Sequence, residues 1–201
     1  PFLLALIATY QDRAHLYLLT ELDTQTRLER LMKLHLYDDA IVLADNAGCH
    51  FMQQMDIFRA YGDHLYGKRQ FDRAIEQYVR TIGHVEPSYV IRRFLDAKRI
   101  HNLTEYLQKL HAPPPPLRSK ATADHTTLLL NCYTKLKDRE RLDRFIRGDA
   151  GLGETVELSF DVETAIRVCH AAGYSEQALF LAEQHRETRW YLKIQIESLS
   201  N

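Results

Sequence analysis

Ten histidines and three cysteines are the residues of this chain best suited to chemistry, as metal ligands, general bases or thiolate nucleophiles. Their spacing works against all three roles. The histidines fall at 15, 35, 50, 64, 84, 101, 111, 125, 170 and 185, and no two stand three or four residues apart, so no helix face offers two imidazoles to one ion. Cys49-His50 and Cys169-His170 are adjacent, but neighbours on a helix diverge by about 100°, and the expectation is buried cysteine and surface histidine. Gly148-x-x-Gly151-x-Gly153 has the wrong spacing for a dinucleotide loop and follows no strand pattern. Neither G-x-x-x-x-G-K-S/T nor G-x-S-x-G occurs, and the acids sit at expected helix starts or solvated faces, where the helix dipole favours them. The chain is therefore expected to be no enzyme, with no catalytic residue, no cofactor and no metal.

The elements that would have to position any such chemistry are helical. With 45% hydrophobic residues in 201 the chain can bury a core, while eight glycines and six prolines are too few for a turn-dense β domain. Lys plus Arg number 26 against 27 Asp plus Glu, a net charge of -1 that argues against a polyelectrolyte binder. Three scattered cysteines do not make a disulfide framework. The run Phe2 to Ala8 is too short to span a bilayer and has no basic flank; it reads as buried structure near a boundary. Asn102-Leu103-Thr104 matches the glycosylation tripeptide but reads as a helix opening.

A repeat organises the rest. After each polar or Gly-containing turn the chain restarts with an apolar lead, two mostly polar positions, a small or aromatic anchor, then Ile or Leu. The copies are Tyr37-Asp-Asp-Ala40-Ile41, Phe71-Asp-Arg-Ala74-Ile75, Leu103-Thr-Glu-Tyr106-Leu107, Leu142-Asp-Arg-Phe145-Ile146 and Ser175-Glu-Gln-Ala178-Leu179, the last led by Tyr174. Their anchors lie 34, 32, 39 and 33 residues apart, the period of stacked helical hairpins. Between them Phe51, Met55, Phe58, Tyr61 and Leu65 recur at helical spacing, as do Leu128, Leu129, Cys132, Tyr133 and Leu136, while Pro87 suits the first turn of a helix. The fold class expected is all-α, an α-solenoid over 23–201 with loops near 112–123 and 148–159. Segment 1–22 is set apart as strand-like or transitional, since two strands about Gln11-Asp12-Arg13 and a helix fit its pattern equally. Pro113 to Pro116 cannot continue a helix and is expected as a plain loop more than as a polyproline ligand.

Charge is patterned more than the total shows. Arg92, Arg93, Lys98 and Arg99 against Asp96 make a local +3. Six Lys and Arg residues between 135 and 147 against Asp138, Glu140 and Asp143 make another. From 148 to 164 only acids occur, five of them. Solvated helix faces and complementary docking patches both fit. An RNA-reading helical repeat has a similar period, but would repeat a basic residue at one position in every unit.

Tyr61-Gly-Asp-His-Leu-Tyr-Gly67 continues through Tyr78-Val-Arg-Thr-Ile-Gly83, Glu86-Pro-Ser-Tyr-Val-Ile91, Arg99-Ile-His-Asn-Leu-Thr104, the run Ala123 to Asp138, Phe160-Asp-Val-Glu-Thr-Ala165 and Trp190-Tyr-Leu-Lys-Ile194. Together these resemble the middle solenoid of the vacuolar protein sorting-associated protein 11 family, class C core subunits shared by the HOPS and CORVET tethering complexes. The resemblance runs from about Asp23 onward and departs at Pro113 to Pro116 and Gly148 to Gly153. It implies a clathrin-heavy-chain-like solenoid between a β-propeller and a RING domain, with 1–22 as the propeller's tail or the transition from it. The family's zinc and ubiquitin-ligase features belong to the RING and are not carried onto this chain.

The resemblance further implies a non-enzymatic scaffold in vesicle tethering and fusion, peripheral on endosome and vacuole or lysosome membranes from the cytoplasmic side. Its partners would be the complex-specific subunits, protein 39 in HOPS and protein 3 or its counterpart in CORVET, with no nucleic acid and no membrane insertion. A stack of hairpins has open ends where an apolar face lacks its next repeat. We expect the partner at the N-terminal end, on Leu28, Leu31, Met32 and Leu34, with Arg92 and Arg93 as the flanking or alternative basic face.

Overall fold

The structure, a computed structural model, describes residues 3–10, 13–95, 99–112, 121–147 and 161–199. Strands β1 (Leu3–Tyr10) and β2 (Arg13–Thr20) pair antiparallel, from Leu3 opposite Thr20 to Tyr10 opposite Arg13. Of the two conformations that fit the opening segment, the hairpin is the one formed. Everything described after it is helix and turn: α1 (Thr24–Lys33), α2 (Tyr37–Asn46), α3 (Phe51–Gly67), α4 (Phe71–Arg80), α5 (Pro87–Phe94), α6 (Ile100–His111), α7 (Ala123–Leu136), α8 (Arg139–Ile146), α9 (Val162–Ala171), α10 (Ser175–Gln184) and α11 (Thr188–Leu199). The loops expected at Pro113 to Pro116 and Gly148 to Gly153 lie outside the described residues. The 17-residue α3 is the longest of these helices, and none is long and apolar enough to cross a membrane.

The helices pack as α1–α2, α3–α4, α5–α6, α7–α8 and α9–α10; successive pairs meet through α2–α3, α4–α6, α6–α7, α7–α9 and α8–α10, and α11 packs on α10. This is the all-α solenoid of hairpins. The five repeat anchors Ala40, Ala74, Tyr106, Phe145 and Ala178 sit in α2, α4, α6, α8 and α10, and each is buried. A continuous core runs from Tyr37 to Ile194, while Leu28, Ala40, Ala44 and Ile57 form a small core of their own between the first hairpin and α3.

One turn recurs between helices. His35, Arg69, Lys137, Gly173 and Arg186 all take positive φ two residues before α2, α4, α8, α10 and α11 begin. Each donates its N–H to the carbonyl three residues back, and the next residue's N–H reaches the carbonyl five back, as in Leu36 to Leu31 at 2.9 Å and Tyr174 to Cys169 at 2.9 Å. That pair of bonds satisfies the last carbonyls of the preceding helix. Glycine fills one of these five positions, so four turns are made at the expense of a left-handed non-glycine residue.

The polar residue two places before the anchor has a second role. In α2 and α4 it is an aspartate in the first turn, where the dipole favours it, and in α8 it is Asp143, further along the helix. Asp38 accepts from Tyr61 Oη at 3.3 Å, Asp72 from Asn102 Nδ2 at 2.7 Å, and Asp143 from Gln177 Nε2 at 3.3 Å. The same repeat position thus ties three of the hairpins to a later helix. Asn102, the glycosylation match, is buried in that tie.

Candidate partner-binding surface

The N-terminal end is built on α1 and α2. Asp23 caps α1 by accepting from Thr26 N at 3.0 Å, and Thr26's side-chain and backbone hydrogen bonds hold its carboxyl below the usual range. Leu28 points inward and joins Ala40, Ala44 and Ile57, so it holds the hairpin together rather than offering itself to a partner. Leu31 and Met32 are half-buried against that cluster, and Met32 also touches the main core. Leu34, at the C-cap of α1, is 67% exposed.

An open apolar slot of about 520 Å³ runs along this end, with Leu22, Leu31, Val42 and Leu43 as its walls and Arg27, Arg30 and Asp39 at its rim. Leu22 and Val42 are exposed. Sequence reading missed Val42 and Leu43. The signal was the run Ile41-Val42-Leu43: a helix buries one stripe, here Tyr37, Ala40 and Ala44, so an apolar residue about 200° from Ala40 must face outward.

The two arginines fare differently. Arg92 is exposed on α5. Arg93 is drawn into a network instead: it pairs with Asp63 Oδ1 at 3.3 Å, donates to Tyr89 Oη at 2.7 Å, and stacks its guanidinium over the rings of Tyr89 and Tyr66 at 4.6 and 5.4 Å. Reversing its charge would dismantle the α3–α5 joint, so Arg93 is structural before it is a contact.

Histidines take two arrangements that spacing did not reveal. His35 and His64, from different hairpins, stack with centroids 4.3 Å apart beside Tyr37. Burial chiefly, then Lys68 and His35, holds His64 below the usual imidazole range. No third ligand joins them: among the described residues no three His, Cys, Asp or Glu side chains gather as a metal site would require. His111 departs from the surface position general for histidine, lying buried between α6 and α7 with Nδ1 on Leu107 O at 2.7 Å and Nε2 on Thr126 Oγ1 at 3.0 Å. Cys132 and Cys169 are buried, and burial pushes the Cys169 thiol up to about 11, which keeps it protonated and inert. The residue just before each anchor is Asp39, Arg73, Glu105, Arg144 and Gln177 in turn. That alternation is not the recurring basic position an RNA-reading repeat would display.

Residues 66–201 match the family model described as PEP5/VPS11 Clathrin repeat. The chain is 53% identical over 195 residues to the human vacuolar protein sorting-associated protein 11 homolog, which covers 97% of this chain and 20% of that protein. It is 55% identical over 182 residues to the Dictyostelium discoideum homolog (90% and 18%) and 52% over 183 residues to the Arabidopsis thaliana homolog (91% and 19%). The chain spans about a fifth of the length of these curated relatives. The buried anchors, the shared turn and a match that runs through five hairpins have one origin: the chain belongs to the vacuolar protein sorting-associated protein 11 family.

Proposed function

We propose that this chain is a non-enzymatic scaffold segment of an endolysosomal tethering complex, and that it joins the class C core to the complex-specific subunit, protein 39 in HOPS and protein 3 or its counterpart in CORVET. Its place would be peripheral to endosome and vacuole or lysosome membranes, reached through partner proteins. The single observation that carries this reading is the apolar slot between α1 and α2, whose walls Leu31 and Leu43 pack on the small cluster of Leu28, Ala40, Ala44 and Ile57 while Val42 stays exposed. An interface draws most of its affinity from a few apolar anchors in such a pocket, while rim charges like Arg27, Arg30 and Asp39 set orientation and association rate.

The test is a pull-down of each candidate subunit with the 201-residue chain carrying Leu31→Asp, Val42→Asp or Arg92→Glu, each first checked for an unchanged helical spectrum. Loss of capture with Val42→Asp and retention with Arg92→Glu is the expected pattern. Val42 is exposed, so its substitution does not threaten the fold. Capture lost only with Arg92→Glu would move the site to the lateral face of α5.

A further inference from the structure

A second surface, on the side of the solenoid, is polar where the first is apolar. Two cavities of about 470 and 600 Å³ adjoin at the Asp72–Asn102 hydrogen bond, because both residues line both of them. Together they make one groove across the starts of α4, α6 and α8. Arg69 and Arg73 stand at one end, Arg141 and Arg144 at the other, and the carboxylates of Asp72 and Glu105 in between. We propose that this groove binds an extended peptide segment of a partner protein that is acidic at both ends and carries a hydrogen-bond donor or a lysine at its centre.

The charges at the two ends are available. Arg73 gives its hydrogen bonds to neutral groups, Gln70 Oε1 at 3.3 Å and Tyr61 Oη at 3.0 Å. Arg141 and Arg144 pair with Asp138 and Glu140, both at 3.2 Å, but each arginine side chain is more than half exposed. Exposed pairs of this kind contribute little, so a guest carboxylate can displace them. Between them the floor holds a fixed donor. Tyr133, buried between helices, receives a hydrogen bond from Gln108 Nε2 at 2.8 Å, and burial keeps its phenol protonated, so its own O–H is left to give to a guest carbonyl or carboxylate. Asp72 and Glu105 would accept from backbone N–H groups or a lysine at the guest's centre.

Length follows from packing. Two helix-to-helix steps of roughly 8–10 Å make a span of roughly 20 Å, which about six extended residues cover at about 3.3 Å each. A nucleic-acid strand fits less well. Its evenly spaced phosphates would meet the two central carboxylates, and His101 is the one exposed ring among the described lining residues, where successive bases would need several. Tyr133 is buried, and Phe71 lies under the Arg99 guanidinium at 3.4 Å from its centroid.

The probe is a fluorescein-labelled peptide Asp-Glu-Asp-Gly-Lys-Gly-Asp-Glu-Asp, titrated by fluorescence anisotropy with the 201-residue chain. Comparison ligands are the same peptide with lysine for every acid and a single-stranded oligouridine. Binding of the acidic peptide that weakens roughly tenfold or more in Arg73→Glu and in the pair Arg141→Glu with Arg144→Glu, but not in Arg167→Glu on the exposed face of α9, is the expected result. No saturable binding of the acidic peptide, or equal binding by the groove variants, overturns the proposal. Tighter binding of oligouridine that the same variants abolish overturns it in favour of a nucleic-acid guest.

Discussion

The hydroxyl of Tyr78 donates to Oδ1 of Asp63 at 2.6 Å. Its ring lies so close over α3 that a Cβ on the intervening Gly62 would sit 2.9 Å from Cε1 and 3.0 Å from Cζ. Asp63 also accepts from Tyr89 Oη at 2.8 Å and pairs with Arg93, so one carboxylate joins α3, α4 and α5. Burial and this carboxylate push the Tyr78 phenol far above its ordinary range, and it remains a donor throughout the stable range of pH. Gly62 is thus required by close approach and not by backbone conformation.

Gly62→Ala is expected to lower stability by about 1–3 kcal/mol, the cost of overpacking a closed joint. Tyr78 is fully buried and its ring cannot swing aside. Denaturant unfolding followed by circular dichroism measures the loss; an unchanged midpoint would mean that the α3–α4 crossing opens to admit a methyl group.

Lys137→Gly and Arg69→Gly are expected to stabilise the chain, each by roughly 1 kcal/mol, because a left-handed backbone is strained for any residue with a Cβ. Gly173→Ala should cost about as much, since its Cβ would meet no neighbour and only the backbone would object. Thermal melts of the three variants check both signs together.

Asn102→Asp is expected to destabilise by about 1–3 kcal/mol at neutral pH, because it replaces the donor facing Asp72 by a second carboxylate. Adding Asp72→Asn should recover most of the loss. Equal melting temperatures for the native chain and Asn102→Asp would show that the 2.7 Å hydrogen bond contributes nothing between α4 and α6.

Stability is expected to fall on acidification through the histidines. The Leu107 carbonyl can only accept, so Nδ1 of His111 carries a proton, and Nε2 lies 3.0 Å from the Thr126 hydroxyl, which also donates to Thr122 O at 3.2 Å. Burial is the largest cause holding His111, His125 and His64 below the ordinary imidazole value. The unfolded chain then binds more protons than the folded one, so stability is complete above the unfolded value of about 6.5 and declines as pH falls below it. Unfolding midpoints between about pH 7.5 and about 5.5 should drop, and His111→Gln should flatten that slope.

The sequence by itself determined the architecture, because the repeat is a local property. An apolar lead, two mostly polar positions and a small or aromatic anchor are read within five residues, and Ala40, Ala74, Tyr106, Phe145 and Ala178 all turned inward as that pattern requires. Family membership was legible for the same reason, in runs such as Tyr61 to Gly67, whose Gly62 and Asp63 now have a physical cause in Tyr78. Only the tertiary structure decided which apolar and charged residues remain available. Leu28 and Val42 look alike in sequence, yet one is sealed by Ala40 and Ile57 while the other faces solvent. Arg92 and Arg93 are neighbours, yet only Arg93 is taken up by Asp63, Tyr66 and Tyr89. His35 and His64, 29 residues apart, meet face to face. Availability depends on what a neighbouring helix brings to the other side of the crossing, and that is set by packing between hairpins, which no local spacing encodes.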